Sequence, residues 1–181
     1  GDRLGNRFKD ALVARARDGI RVYFLYDEVG SKKIPGNYLR ELRAAGVEVH
    51  SFGKNRLWWS RFQINFRNHR KILIADGLTA LVGGLNIGDE YLDGHPKLGA
   101  WRDTHMRLAG PCVDVVQLAF LEDWHWATGQ LPELSWSSDP EIADQQVLIL
   151  PTGPADPFDS GQLAIVNAAT SARERLWIAS P

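Results

Sequence analysis

Three residue types suited to phosphoryl chemistry fall within one eighteen-residue window: His69, Lys71 and Asn86. An unperturbed imidazole titrates near pH 6.5, so His69 could attack phosphorus as a neutral nucleophile or carry a proton. An ammonium and a carboxamide beside it would neutralise and hydrogen-bond the non-bridging oxygens as charge develops. A metal is disfavoured, because Arg70 and Lys71 would repel a divalent cation where His69 would bind one. No His-Glu-x-x-His or comparable ligand spacing occurs elsewhere. The chemistry expected here therefore needs neither a metal nor an organic cofactor.

A β-hairpin must position these groups. Lys71 to Ala75 and Leu78 to Val82 are apolar runs around Asp76-Gly77, a strong short-range hairpin signal. If Asp76-Gly77 is a two-residue loop, Ala75 faces Leu78, Leu73 faces Ala80, Lys71 faces Val82 and His69 faces Gly84. His69 and Lys71, two apart on a strand, share a face. Gly83 and Gly84 remove bulk opposite them, and Asn86 follows just past the hairpin. The expected result is a small, open, polar pocket. A His-x-Lys pair alone is also what an ordinary half-exposed strand edge looks like.

The surrounding chain supplies the scaffold. Leu4, Phe8, Leu12 and Val13 recur at helical spacing over 3–18, and 20–26 is a β-rich run. A helix over 37–45 and a strand over 47–52 complete a strand–helix–strand unit, which implies parallel pairing and an α/β (α+β) fold with a mixed sheet flanked by helices. Asp27-Glu28-Val29-Gly30 follows the first strand, and acidic residues there exclude a dinucleotide phosphate loop. Further on, 104–108 reads as a strand, and Val113, Val116, Phe120 and Trp124 mark a helix over 112–127. The Ser- and Pro-containing stretch 131–145 reads as a linker between a first lobe (1–130) and the start of a second (146–181). In that second part, 147–150 and 176–179 read as strands around a helix at 161–172.

The 181 residues, 44% hydrophobic and 24% charged with a net charge of -1, exclude disordered and collagen-like classes and a globally basic nucleic-acid binder. Cys112 is the one cysteine, so neither an internal disulfide nor a multi-thiolate metal cage can form. No apolar run reaches the roughly 20 residues of a membrane-spanning helix, so the stretch itself is expected to be soluble. Between Val49 and Ala75 there is no acidic residue, yet Lys54, Arg56, Arg61, Arg67, Arg70 and Lys71 lie there with Trp58 and Trp59 among them. This is either a solvated loop or an anion-handling surface, with the aromatic pair suited to a lipid headgroup boundary or to stacked bases. The chain opens with Gly1-Asp2 and closes inside an apolar run, and is expected to be a fragment of a longer protein.

The combination narrows the reading. His69-x-Lys71, then Asp76, then Gly83-Gly84-x-Asn86 resembles the signature of the phospholipase D superfamily. Arg67-Asn68-His69-Arg70-Lys71, Gly83 through Tyr91, Trp101-Arg102-Asp103-Thr104-His105 and Leu121-Glu122-Asp123-Trp124 look like bacterial cardiolipin synthases. The resemblance implies that His69 is the nucleophile that forms a phosphohistidine, or else the general acid/base, and that Lys71 and Asn86 grip phosphate, with Gly84, Arg70, Trp58 and Trp59 beside substrate. It counts Asp76 in the motif, mainly in a structural role. It implies that Asp103 holds the far nitrogen of the His69 ring; a plain turn or strand-start aspartate is the alternative. His105, two residues on, either approaches the pocket or is an ordinary structural histidine. His95-Pro96-Lys97 copies the His-x-Lys spacing inside a Gly/Pro loop and lacks the rest of the motif.

The implied activity is transfer of a phosphatidyl group between phosphatidylglycerol molecules at the bacterial cytoplasmic membrane. A second motif-bearing lobe or subunit would complete the site, so this stretch alone is expected to be inactive. Two other readings stay open: a phospholipase D-type phosphodiesterase or nuclease, which the modest net charge counts against, and a non-catalytic anion-binding module.

Overall fold

The computed structural model describes residues 2–53, 68–94, 99–136, 145–153 and 158–178. Helix α1 (Arg3–Arg17) is followed by strand β1 (Tyr23–Asp27), helix α2 (Gly36–Ala44) and strand β2 (Glu48–Phe52). Strands β3 (Lys71–Ala75) and β4 (Thr79–Gly83), the short helix α3 (Glu90–Asp93) and strand β5 (Met106–Ala109) come next. Helices α4 (Cys112–Thr128) and α5 (Ser160–Ser171) close the sequence of elements. The fold class is α/β, with parallel and antiparallel pairing both present, in two sheets: β1 and β2 pair in parallel, and β3, β4 and β5 form an antiparallel meander.

Each sheet has its own core. Tyr38, Leu42, Val47 and Val49 are buried with Leu12, Val13 and Phe24 packed around them, joining α1 and α2 to the parallel pair. Ala80, Leu108, Val113 and Val116 form the second core with Ile72, Ile74 and Val82. Helix α4 belongs to both sheets, which is why apolar residues nearly encircle it. Its Trp124, only 2% exposed, meets the rings of Tyr23 at 5.3 Å and His50 at 5.0 Å, both edge-on. Trp126 stacks on Phe52 at 4.5 Å.

The hairpin forms where expected but in a different register. Asp76 and Gly77 both adopt positive φ, 57° and 71°, and the Leu78 amide donates to the Ala75 carbonyl. Leu78 then stays unpaired, so the loop is three residues long and Ala75 faces Thr79, Leu73 faces Leu81 and Lys71 faces Gly83. A one-residue slip turns every β4 side chain to the other side of the sheet. The cause is burial: the observed register brings Ala80 and Val82 onto the α4 side with Ile72, Ile74 and Leu108, where they leave water. Gly77 is itself buried, with the Ser135 carbonyl 2.2 Å from where a Cβ would stand.

Two expected strands are not formed. Residues 147–150 and 176–178 are irregular. Among the described residues neither run has a strand to pair with, and an isolated apolar run has nowhere to place its backbone hydrogen bonds except solvent. Ile149 packs instead against the core around Ala80. The expected strand at 104–108 begins at Met106, because Asp103 and His105 are engaged by side-chain contacts at its head. No helix among the described residues is long and apolar enough to cross a membrane.

Candidate active site

The site lies at the open end of the β3–β4–β5 sheet, away from the hairpin turn. Lys71 is the last paired residue of β3, opposite Gly83, and its Nζ donates to the carbonyl of His69 at 2.7 Å. The ammonium is thereby held beside the residue that bears the exposed imidazole. The ladder ends at Lys71 opposite Gly83 on one side of β4 and at Val82 opposite Met106 on the other, and His69, Gly84, Leu85, Asp103 and His105 lie in the irregular segments just beyond it. Strand alternation turns Lys71 to the face opposite the one on which Ile72 and Ile74 pack in the α4 core.

The space left by the two glycines is filled. A Cβ on Gly83 would sit 2.3 Å from Cγ and Nδ1 of His105, and one on Gly84 would sit 2.9 Å from the Asp103 carboxylate. The Asp103 carboxylate accepts from the Gly84 amide at 2.7 Å and lies 3.1 Å from His105 Nε2, so the imidazole it meets is that of His105 and not, as expected, that of His69. The Leu85 amide donates to the same His105 nitrogen at 3.3 Å. Gly83 therefore makes room for the His105 imidazole, which lies at the same end of the sheet as Lys71. Gly83→Ala drives a methyl into that ring. We expect it to displace His105 and to lower activity of the full-length protein about tenfold or more. The imidazole NMR shifts of His105 check the displacement.

The amide of Thr104, joined by those of Gly84 and Leu85 and by the His105 ring, holds the Asp103 carboxyl below its ordinary value against a partial desolvation that opposes it. A carboxylate with a depressed folded-state pKa stabilises above the unfolded value and loses that contribution as pH falls through the folded one. The clasp between 83–85 and 103–105 should thus persist through neutral and mildly acidic pH and open only below pH 3.8. A carbon-13 titration of Asp103 with its midpoint at or above 3.8 would contradict this.

Asn86 is exposed, and its Nδ2 donates to the Tyr91 hydroxyl at 2.8 Å. Tyr91 leans on Trp101, ring centroids 5.5 Å apart. The loop that carries them is fastened to α1: Asp89 accepts from the amides of Leu4 at 2.7 Å and Arg3 at 2.9 Å, and Arg3 pairs with Asp93. These helix N-terminal amides, Leu4 first, together with the Arg3 charge lower the Asp89 pKa. Tyr91 and Asp89 were beyond reach of a motif search, although the resemblance segment Gly83–Tyr91 contains both.

Several expected site residues lie elsewhere. Asp76 is at the hairpin turn, seven residues from His69 and so roughly 20 Å along the ribbon, where it cannot touch a phosphate at that histidine. Its positive φ is one that aspartate tolerates better than most residues. Arg70 is turned to the α4 side and bonded to Asp123 at 2.6 Å, because alternation sends it away from its two neighbours. The expected pairing of His69 with Gly84 is not formed, because the ladder stops at Lys71 opposite Gly83. The cavity that His69 and Lys71 touch, about 240 Å³, is lined mainly by apolar residues such as Ile72, Val82, Leu108 and Ile149. It is not the polar pocket expected, and Asn86 is not part of its wall. Trp58 and Trp59, with Lys54, Arg56, Arg61, Arg67 and the His95-Pro96-Lys97 triplet, lie outside the described residues.

Residues 4–101 match the family described as cardiolipin synthase, PLD-like domain. The chain is 47% identical over 182 aligned positions to cardiolipin synthase A of Pseudomonas putida (strain W619), covering 99% of this chain and 38% of that protein. Cardiolipin synthase A of Pseudomonas entomophila (strain L48) is 46% identical, again over 99% of this chain and 38% of its own length. That of Pseudomonas fluorescens (strain SBW25) is 44% identical with the same coverage. The chain thus spans under two fifths of the length of these relatives. A family match over more than half of the chain and near-complete alignment to these relatives lead to one assignment: the chain belongs to the cardiolipin synthase family of PLD-like domains.

Proposed function

We propose that residues 1–130 are one catalytic lobe of a phosphatidyltransferase that makes cardiolipin from phosphatidylglycerol, with 131–145 a linker and 146–181 the start of a second lobe. His69 attacks the phosphorus of one phosphatidylglycerol, forming a P–N bond as the bond to the glycerol oxygen breaks. The departing oxygen takes a proton from a general acid. A hydroxyl of a second phosphatidylglycerol then attacks the phosphohistidine, gives up a proton and restores the imidazole, so the proton balance over the cycle is zero. Lys71 and the free capacity of the Asn86 amide neutralise and orient the non-bridging oxygens. Asp103 keeps the end of the sheet anionic, which favours the imidazolium-like charge of the intermediate. Asp76 and Arg70 serve the scaffold.

The observation that carries this reading is the bond from Lys71 Nζ to the His69 carbonyl at an open sheet end, in a chain nearly half identical to proteins named cardiolipin synthase A. Trp58, Trp59 and the basic residues around them are proposed to meet the headgroup layer of an anionic bilayer, with nucleic acid not a partner. The general acid is assigned to a second motif-bearing lobe or subunit.

The test is chemical trapping in the full-length protein. Acid quench of enzyme mixed with phosphatidylglycerol labelled in its phosphate should leave label on the peptide bearing His69. Label on no histidine, or cleavage of single-stranded DNA with no lipid transfer, would reject the proposal.

A further inference from the structure

We infer that Asp123, on α4, is the positioning residue that aims His69 at the phosphate, an inference that rests on His69 being the reacting group proposed above. The ladder of the sheet stops at Lys71, so no strand pairing fixes the backbone at His69. Side-chain bonds do it instead. Asn68 and Arg70, the two neighbours of His69, both reach one carboxylate: Asn68 Nδ2 donates to Asp123 Oδ2 at 2.8 Å, and Arg70 Nη1 donates to Oδ1 at 2.6 Å.

The bracket is closed on itself and tied at both ends. The Arg70 amide donates to Asn68 Oδ1 at 2.9 Å, the Asn68 amide donates to Asp27 Oδ1 at 3.2 Å, and Arg70 Nη2 reaches the Thr152 carbonyl at 3.3 Å. The bond from the Arg70 amide to Asn68 Oδ1 closes an Asx turn across His69, which limits the freedom of the backbone there. Pinning both neighbours of His69 to α4 fixes the backbone on either side of it and leaves the exposed imidazole outside the bracket.

Asp123 is itself rigidly placed. It directly precedes Trp124, the wedge between α4 and the parallel pair, which is 2% exposed. Its side chain is 13% exposed and that of Arg70 is 26% exposed. A charge-assisted pair so shielded is shorter and more directional than one in open water. Removing the carboxylate leaves a guanidinium without its counter-charge beside an apolar cavity, which favours swinging Arg70 outward and rotating the segment with it. A displacement of about 1 Å at a reacting atom can cost on the order of 100-fold in rate.

The experiment compares Asp123→Ala, Asp123→Asn and His69→Ala in the full-length protein, assayed for phosphatidyl transfer from phosphatidylglycerol in mixed micelles. For Asp123→Ala we expect kcat to fall about 10- to 100-fold with KM within about threefold of wild type, the split expected when alignment and not substrate binding is lost. Asp123→Asn keeps an acceptor oxygen without the charge and should fall between that variant and wild type. It also serves as the reporter should the alanine variant not fold. Adding Arg70→Ala to Asp123→Ala should lower kcat no more than twofold further, since both act through one bracket. Trapped label per folded molecule, with folding read by circular dichroism, separates misalignment from unfolding. A kcat within twofold of wild type for the folded Asp123 variants, or a loss equal to the loss of folded protein, overturns the inference while an inactive His69→Ala leaves the proposed function intact. Transfer that survives in His69→Ala overturns both.

Discussion

The full-length protein carrying His69→Gln is expected to lose phosphatidyl transfer by on the order of 10⁴-fold or more, with little change in its unfolding midpoint. Glutamine approximates the size and polarity of histidine but cannot form a covalent bond to phosphorus, so the two-step route is closed while the fold is spared. Loss of a nucleophile in other two-step enzymes costs this much because the remaining groups stabilise a transition state that can no longer be reached. The side chain of His69 is exposed and belongs to neither core, which is why the stability readout should stay still. The measurement is initial-rate transfer against urea unfolding. A rate within tenfold of wild type would remove His69 from the chemistry, and a large drop in stability would mean the residue does structural work the contacts do not display.

The largest effect on stability is expected at Trp124. Its truncation to alanine should cost about 3–5 kcal/mol, the range for removing a large buried aromatic side chain. Whole domains are stable by only about 5–15 kcal/mol, so this single change takes a large share of the total. The cost arises because Trp124 pins α4 to the parallel pair, meeting Tyr23 and His50 there and Phe120 on its own helix at 5.6 Å. The antiparallel meander meets the same helix through Val113 and Val116. The neighbouring Trp126, 38% exposed, provides the comparison, and its truncation should cost less. Urea unfolding followed by far-ultraviolet circular dichroism checks both without relying on tryptophan emission. Equal losses at the two positions would show that α4 is not held by the wedge described here.

The consequence for the site follows from geometry. Asp123 and Trp124 are consecutive, so anything that loosens the wedge also loosens the carboxylate that brackets His69. The reacting end of the sheet thus owes its alignment to a helix on the far side. The near side is arranged by loops: His105 over Gly83, Asp103 on the Gly84 amide, and Tyr91 against Asn86.

By itself the sequence determined most of the elements, the turn and the family. Periodicity placed α1, α2, α4 and the first five strands to within a few residues, because each shows its apolar spacing locally. Asp76-Gly77 located the turn for the same reason: the two positive φ angles it needs are a property of those residue types. The resemblance carried by His69, Lys71, Gly83-Gly84 and Asn86 led to the family that the whole-chain comparison bears out.

Tertiary structure alone decided the register and the partners. Whether Leu78 pairs or bulges depends on which side of β4 finds an apolar surface to bury, and that surface is α4, contributed from more than thirty residues later. Arg70 and Asp123 meet across 53 positions, and His105 lies over a glycine 22 residues earlier, so no local pattern could announce either contact. The runs at 147–150 and 176–178 fail for the complementary reason. A strand is completed by its neighbour, and an apolar run with none among the described residues stays irregular however strand-like its composition.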